Sequence, residues 1–216
     1  MINPDYYYPQ VQAGDNIIRP VLTTGSICRT QDGDLIFSGN CPAGETWIVG
    51  SPGGKHAPKI DRSLEETMLR EYQEELGLEA NEFEFVTKSS SGGIAKVTTS
   101  PLYAEGWNLL DELPYAPGRN PETLILQGAV PERLSLAAVF RTYLLREPIP
   151  TDDNPLLFRV STASLKRLQE QARSSTTLSE VRNLGIQEES LRKISPEAKI
   201  VFVGAAGAII MNQIKI

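Results

Sequence analysis

Three carboxylates stand at i, i+3 and i+4 in this chain. They are Glu71, Glu74 and Glu75, with Arg70 directly before the first and Gly77 two residues after the last. Leu64–Leu76 has no Gly or Pro and is rich in Leu, Glu, Met and Arg, which predicts a helix. At about 100° per residue the three carboxylates fall within roughly a third of the circumference. Like charges at this spacing repel and destabilise a helix. Two arrangements relieve the repulsion. A hard divalent cation such as Mg²⁺ or Mn²⁺, which prefers carboxylate oxygen, turns it into chelation. A solvated acidic face balanced by Arg70 and other bases does so without any ligand. Spacing alone leaves both open.

The elements that must position these groups are also readable. Ser63 is placed as an N-cap, Glu66 three residues on completes a capping box, and Gly77 sits where a C-terminal glycine belongs. Leu64, Met68, Leu69, Tyr72 and Leu76 form an apolar arc beside the acidic one. Upstream, Thr46–Gly50 reads as a strand that leads into Ser51-Pro52-Gly53-Gly54-Lys55. A backbone without Cβ turns sharply there and approaches a ligand closely. Lys55, His56, Lys59 and Arg62 follow as a small basic cluster, either facing phosphate oxygens or lying in a solvated loop. His56 is the sole histidine and lacks partners at metal-ligand spacing.

Taken together, Pro52-Gly53-Gly54 and the run from Arg70 through Leu78 resemble the box of the Nudix hydrolases. That box reads Gly, five residues, Glu, seven residues, Arg-Glu-hydrophobic-x-Glu-Glu-x-Gly-hydrophobic. The second half is complete here. The middle departs from the pattern, because Ile60 and Arg62 stand where counting from either end places the first Glu. A two-residue insertion within Lys55–Asp61 accounts for this, with Arg62 in the Glu position and Asp61 as a near substitute.

The resemblance implies an α/β (α+β) Nudix fold, a mixed β-sheet sandwiched between helices. It implies metal-dependent hydrolysis of a diphosphate linkage in a nucleoside diphosphate derivative or similar compound. Glu74 and Glu75 would bind Mg²⁺ or Mn²⁺, and Glu71 would be a third ligand or the base that activates water. Arg70 would hold a glutamate by an ion pair, and Gly53 and Gly54 would shape the loop beside the metal. The basic cluster of Lys55, His56 and Arg62 would meet the substrate. The same fold can also bind a nucleotide or metabolite without cleaving it, and the missing box Glu points that way. A Nudix-fold isomerase is a third reading. The downstream residues that mark subgroups acting on ADP-ribose or dinucleoside polyphosphates are absent at Gly93–Lys96, so the substrate stays open.

The remainder of the chain is expected to complete one domain over residues 1–216, with an N-terminal arm (1–18), an insertion at about 89–135 and a C-terminal extension at about 174–216. The aromatic stretch Asn3–Pro9 either packs on the body or a second subunit, or stacks on a base. Arg19–Phe37 reads as a hairpin turning at Asp32-Gly33. Strands are expected at Glu82–Thr87, Thr123–Gln127, Leu136–Leu145 and Leu156–Val160, and a helix at Ser164–Arg173. Leu178–Ile194 reads as partly helical. Ile200–Met211, twelve residues without a charge, reads as a buried helix or a strand–helix pair, too short to span a membrane. Within the insertion, Glu105, Asp111, Glu112 and Glu122 are candidates to reach the metal. Tyr103, Trp107 and Tyr115 are candidates to stack on a base.

With 40% hydrophobic and 22% charged residues the composition is that of a globular protein. A net charge of −6 argues against a general nucleic-acid binder, although it leaves a nucleotide substrate open through a bridging cation. Cys28 and Cys41 form neither a disulfide framework nor a metal-ligand set. The expectations are a cytoplasmic protein with a small phosphorylated substrate, no membrane and no nucleic-acid polymer, and a homodimer as an open possibility.

Overall fold

Several segments of the chain are apolar at nearly every position, among them Leu35-Ile36-Phe37, Leu124-Ile125-Leu126, Leu136–Phe140 and Leu156-Leu157-Phe158. A strand can use such a run only where both faces of its sheet are covered. The computed structural model describes residues 10–13, 15–42, 44–86, 96–99, 107–109, 121–127, 134–171 and 175–214. In chain order its elements are β1 (Val11–Ala13), β2 (Asn16–Ile18), β3 (Val21–Arg29), β4 (Leu35–Asn40), β5 (Thr46–Gly50), α1 (Leu64–Leu76), β6 (Phe83–Phe85), β7 (Lys96–Thr99), β8 (Trp107–Leu109) and β9 (Thr123–Gln127). There follow β10 (Ser135–Leu144), β11 (Leu156–Val160), α2 (Thr162–Gln171), β12 (Ser175–Thr177), α3 (Leu178–Asn183), β13 (Gln187–Ser190), β14 (Lys199–Phe202) and α4 (Gly204–Ile210).

The main sheet is mixed. Its spine runs β12-β14-β5-β4-β3-β10-β9-β7, with β11 joined to β4, β13 to β11, and β6 on the second half of β10. β3 pairs parallel to β10 and β5 parallel to β14, while β4 runs antiparallel to β5 and to β11. Alternate residues of one strand feed two cores. Leu136, Ala138 and Phe140 of β10, Ile36 of β4 and Leu157 of β11 meet Met68, Tyr72 and Leu76 of α1. Ala137 and Val139, Leu35 and Phe37, and Phe158 meet the other side, where Leu165 and Leu168 of α2, Leu178 and Val181 of α3 and Ala205–Ile210 of α4 lie. The expected sheet between helices is therefore the observed architecture. Among the described residues no helix is long and apolar enough to cross a membrane.

Some local expectations are corrected and others are made more definite. The β3–β4 turn spans Thr30–Asp34 rather than two residues, closed by the Thr30 amide on Asp34 O (2.9 Å) and the Gly33 amide on Thr30 O (3.0 Å). Helix is confined to α3 in the 178–194 stretch, because Gln187–Ser190 forms an edge strand on β11. The C-terminal apolar run takes the strand–helix form, β14 then α4. The insertion is less irregular than expected, since β9 and β7 extend the main sheet beyond β10. β1 and β2 form a hairpin that pairs with β8, so the second half of the N-terminal arm is sheet. The aromatic residues 3–9, and Tyr103, Glu105, Asp111, Glu112 and Tyr115, lie outside the described residues; for Trp107 only the backbone is described. Glu122 is clamped by both Arg141 Nε and Nη2 at 2.7 Å, an ion pair between the start of β9 and β10. Cys28 is buried, and burial pushes its thiol up to about 12.

Candidate functional site

Helix α1 is set at both ends by its own sequence. Ser63 Oγ accepts the Glu66 amide at 3.1 Å, and Gly77 in the left-handed conformation (φ 64°) returns its amide to Gln73 O. The capping box is not reciprocal: the Glu66 carboxylate accepts from the Arg62 amide (2.6 Å) rather than from Ser63. Tyr72, fully buried, donates to Ser26 Oγ (2.7 Å), which in turn donates to Pro52 O (3.0 Å). The apolar arc of α1 is thus tied through β3 to the glycine loop that faces its acidic arc.

That loop pairs with β3 through the Thr24 amide on Gly54 O (2.7 Å) and the His56 amide on Leu22 O (3.0 Å). Gly53 has φ +138°, and a Cβ there would stand 2.6 Å from Thr24 O and 2.8 Å from Gly25 Cα. A Cβ on Gly54 would stand 2.2 Å from Glu71 Oε2. Both glycines are therefore required, one by the neighbouring backbone and the other by a carboxylate of α1.

The three carboxylates have different surroundings. Glu71 is buried against Gly54, and its Oε1 accepts from Arg70 Nη1 at 2.6 Å. Burial raises its pKa, against the pull of Arg70. Glu74 is exposed, and its Oε2 accepts from the same Nη1 at 3.0 Å. Glu75 turns inward, toward neutral donors. Its Oε2 accepts from the Gly53 amide (2.9 Å) and Ser38 Oγ (3.1 Å), and its Oε1 from Asn154 Nδ2 (2.8 Å). Burial pushes its carboxyl up to about 7, opposed by these donors.

Arg70 is held in turn by Asp61, with Nε to Oδ1 at 3.1 Å and Nη2 to Oδ2 at 3.0 Å, and by Lys55 O at 2.9 Å. Asp61 is buried. Burial works to raise its pKa, yet the Arg70 guanidinium, the Ala57 amide and the Thr67 hydroxyl together hold it below the usual value. Of the two residues weighed for that position, Asp61 and not Arg62 meets Arg70.

Of the expected site residues, Gly53, Gly54, Arg70, Glu71, Glu74 and Glu75 are brought together, with Lys55 beside them through its carbonyl. His56 is not in a solvated loop. It is buried, its Nδ1 lies 2.8 Å from Thr67 Oγ1 and 3.8 Å from Asp61 Oδ2, and burial lowers its pKa. A substrate contact through its side chain is excluded in this conformation. Arg62 is exposed at the start of the helix. Ser38 and Asn154 carried no sequence signal, lying 37 and 79 residues from Glu75. A cavity of about 430 Å³ on the α1 face of the sheet, lined by Ile36, Pro148, Leu157 and Arg159 among others, does not include the carboxylates. Among the described residues no group of three or more His, Cys, Asp or Glu side chains stands ready to hold a metal ion.

No family model and no curated protein matches the chain. Among solved structures it is similar to the MutT protein of Methanosarcina mazei Go1, with 18% identity over 70% of this chain and 82% of that one and a TM-score of 0.42. It is similar to a NUDIX-family hydrolase from Clostridium perfringens, with 17% identity, 69% and 86% coverage and a TM-score of 0.44. It is also similar to a MutT/nudix family protein from Enterococcus faecalis, with 12% identity, 81% and 75% coverage and a TM-score of 0.36.

Proposed function

We propose that the chain is a Nudix-type pyrophosphohydrolase that cleaves a diphosphate linkage in a nucleoside diphosphate derivative or similar compound, with Mg²⁺ or Mn²⁺ as cofactor. The observation that carries this reading is the joint between helix and loop. Gly53 donates its amide to Glu75, and only a glycine at 54 leaves room for the Glu71 carboxylate. An acidic helix face set against a loop without Cβ suits a cation that bridges carboxylate to phosphate.

The donor chemistry fits the ion, because three carboxylates are hard oxygen ligands. They do not converge as they stand: Arg70 Nη1 bridges Glu71 and Glu74. Glu74 and Glu75 would hold the ion, with Glu71 as third ligand or as the base that takes a proton from water. The cation supplies charge neutralisation at the phosphate oxygens. The chain supplies the rest. Asp61 fixes Arg70, which keeps Glu71 and Glu74 side by side. Burial raises the pKa of Glu71, which makes its carboxylate a stronger proton acceptor than an exposed glutamate. Lys55 is exposed at the loop and offers positive charge to a phosphate.

A nucleotide- or metabolite-binding module is the second reading, favoured by Arg70's hold on two carboxylates. A phosphate-release screen with Mg²⁺ and Mn²⁺ separates them. The panel is nucleoside triphosphates, ADP-ribose, NADH, nucleotide sugars, dinucleoside polyphosphates and coenzyme A. Metal-dependent turnover of any member is the expected result. Silence throughout, with a panel member raising the melting temperature, favours the binding module.

A further inference from the structure

We infer that Asn154 is a positioning residue, and that the Thr151–Asn154 turn sets where Glu75 points and so how tightly the acidic face holds a divalent cation. The inference rests on the metal-dependent reading above and goes beyond it to residues outside the motif.

A glutamate side chain has three rotatable bonds, and the last of them is soft, so a carboxylate anchored at one oxygen still swings about Cγ–Cδ. Gly53 N and Ser38 Oγ both donate to Oε2 of Glu75. Asn154 Nδ2 is the donor on Oε1, at 2.8 Å, and it therefore fixes the plane of the group. Its chemistry also differs from that of Arg70. A guanidinium cancels the charge of the carboxylates it binds, whereas an amide N–H supports the ionised form and leaves its charge to attract a cation.

Asn154 is itself placed with reference to α1. It is buried, its amide donates to Thr151 Oγ1 (3.2 Å), and its carbonyl accepts the Thr151 amide (3.2 Å). Thr151 Oγ1 donates to Glu74 O (2.6 Å), and the Ile149 amide donates to Leu76 O (3.1 Å). The segment before β11 thus docks on the last carbonyls of α1, groups that a helix leaves open, and from that footing reaches back to the carboxylate of the adjacent residue. A partner of this kind orients a ligand and tunes its affinity, and its loss typically costs about ten- to a hundredfold in metal binding.

The test is Mn²⁺ binding to the intact protein without substrate, read from the electron paramagnetic resonance of free Mn²⁺, for wild type, Asn154→Ala, Asn154→Leu, Ser38→Ala and Glu75→Gln. The expected result is about tenfold weaker binding in both Asn154 variants and less than about threefold in Ser38→Ala, whose carboxylate oxygen keeps the Gly53 amide. Because a buried asparagine can be needed for folding, the wild type supplies a second readout. The Asn154 side-chain amide resonances are expected to shift on titration with Mg²⁺. Unchanged Mn²⁺ affinity in folded Asn154 variants while Glu75→Gln weakens it, or no shift of those resonances under saturating Mg²⁺, overturns the assignment and leaves the hydrolase reading standing. A wild type that binds no Mn²⁺ overturns both.

Discussion

Gly53 and Gly54 are adjacent and yet are required for different reasons. At Gly53 an added methyl meets backbone, Thr24 O and Gly25 Cα, at a positive φ that side chains avoid. At Gly54 it meets the end of the flexible Glu71 side chain, which can move away. Gly53→Ala is therefore expected to destabilise the fold by about 2 kcal/mol or more, visible as a lower denaturation midpoint. Gly54→Ala is expected to leave the midpoint nearly unchanged and to lose turnover, because Glu71 is displaced. Equal effects of the two on stability would contradict the distinction. The titrating groups give a second prediction at this scale. Glu75 has its carboxyl pushed up to about 7 from 4.5 by burial, so the metal-free folded state binds a proton that the unfolded chain releases. Stability rises as the pH falls through this window. Asp61 acts oppositely: its depressed pKa contributes stability that is present above 3.8 and lost as the pH falls through the folded value. Melting temperature measured against pH without metal should pass through a maximum on the acid side of neutrality, and Glu75→Gln should flatten the upper limb.

Among the elements, α1 is the one most completely written in its own sequence. Its caps, apolar arc and acidic arc all lie within Ser63–Gly77, and each was legible because the interactions are local. Gly77 is the point where the element meets the rest: a Cβ there would strain a left-handed residue and stand 2.8 Å from Ile149 Cγ1. Gly77→Ala should cost about 1–2 kcal/mol and loosen the segment before β11, which hydrogen exchange at the Ile149 amide would detect. Exchange at Ile149 as slow as in the wild type would contradict that coupling. Asp61 was half legible. The insertion could be counted, but only the fold decides whether residue 61 or 62 meets Arg70. Ser38 and Asn154 were not legible, since β4 and the 151–154 turn converge on Glu75 through sheet pairing and not through sequence spacing. β13 was missed for another reason. Gln-Glu-Glu-Ser carries no apolar alternation, and its strand state comes from hydrogen bonds to β11.

For the whole molecule, the sheet covered on both faces was expected from the family resemblance alone, and its two cores divide the work. α1 and its chemistry occupy one side, while α2, α3 and α4 close the other. The C-terminal extension is part of this frame, since Ile200, Phe202, Ala206, Ile209 and Ile210 are buried and β14 pairs with β5, the strand that delivers the glycine loop. Truncation after Ser195 is expected to abolish cooperative unfolding; a folded truncated protein would show the extension to be dispensable. The role proposed for the acidic face of α1 is tested by turnover of the best substrate of the phosphate-release panel at saturating Mg²⁺, comparing the wild type with Glu71→Gln and Glu75→Gln after each variant is shown to be folded. The expected loss is about a hundredfold or more in each. Full activity in both variants would contradict it.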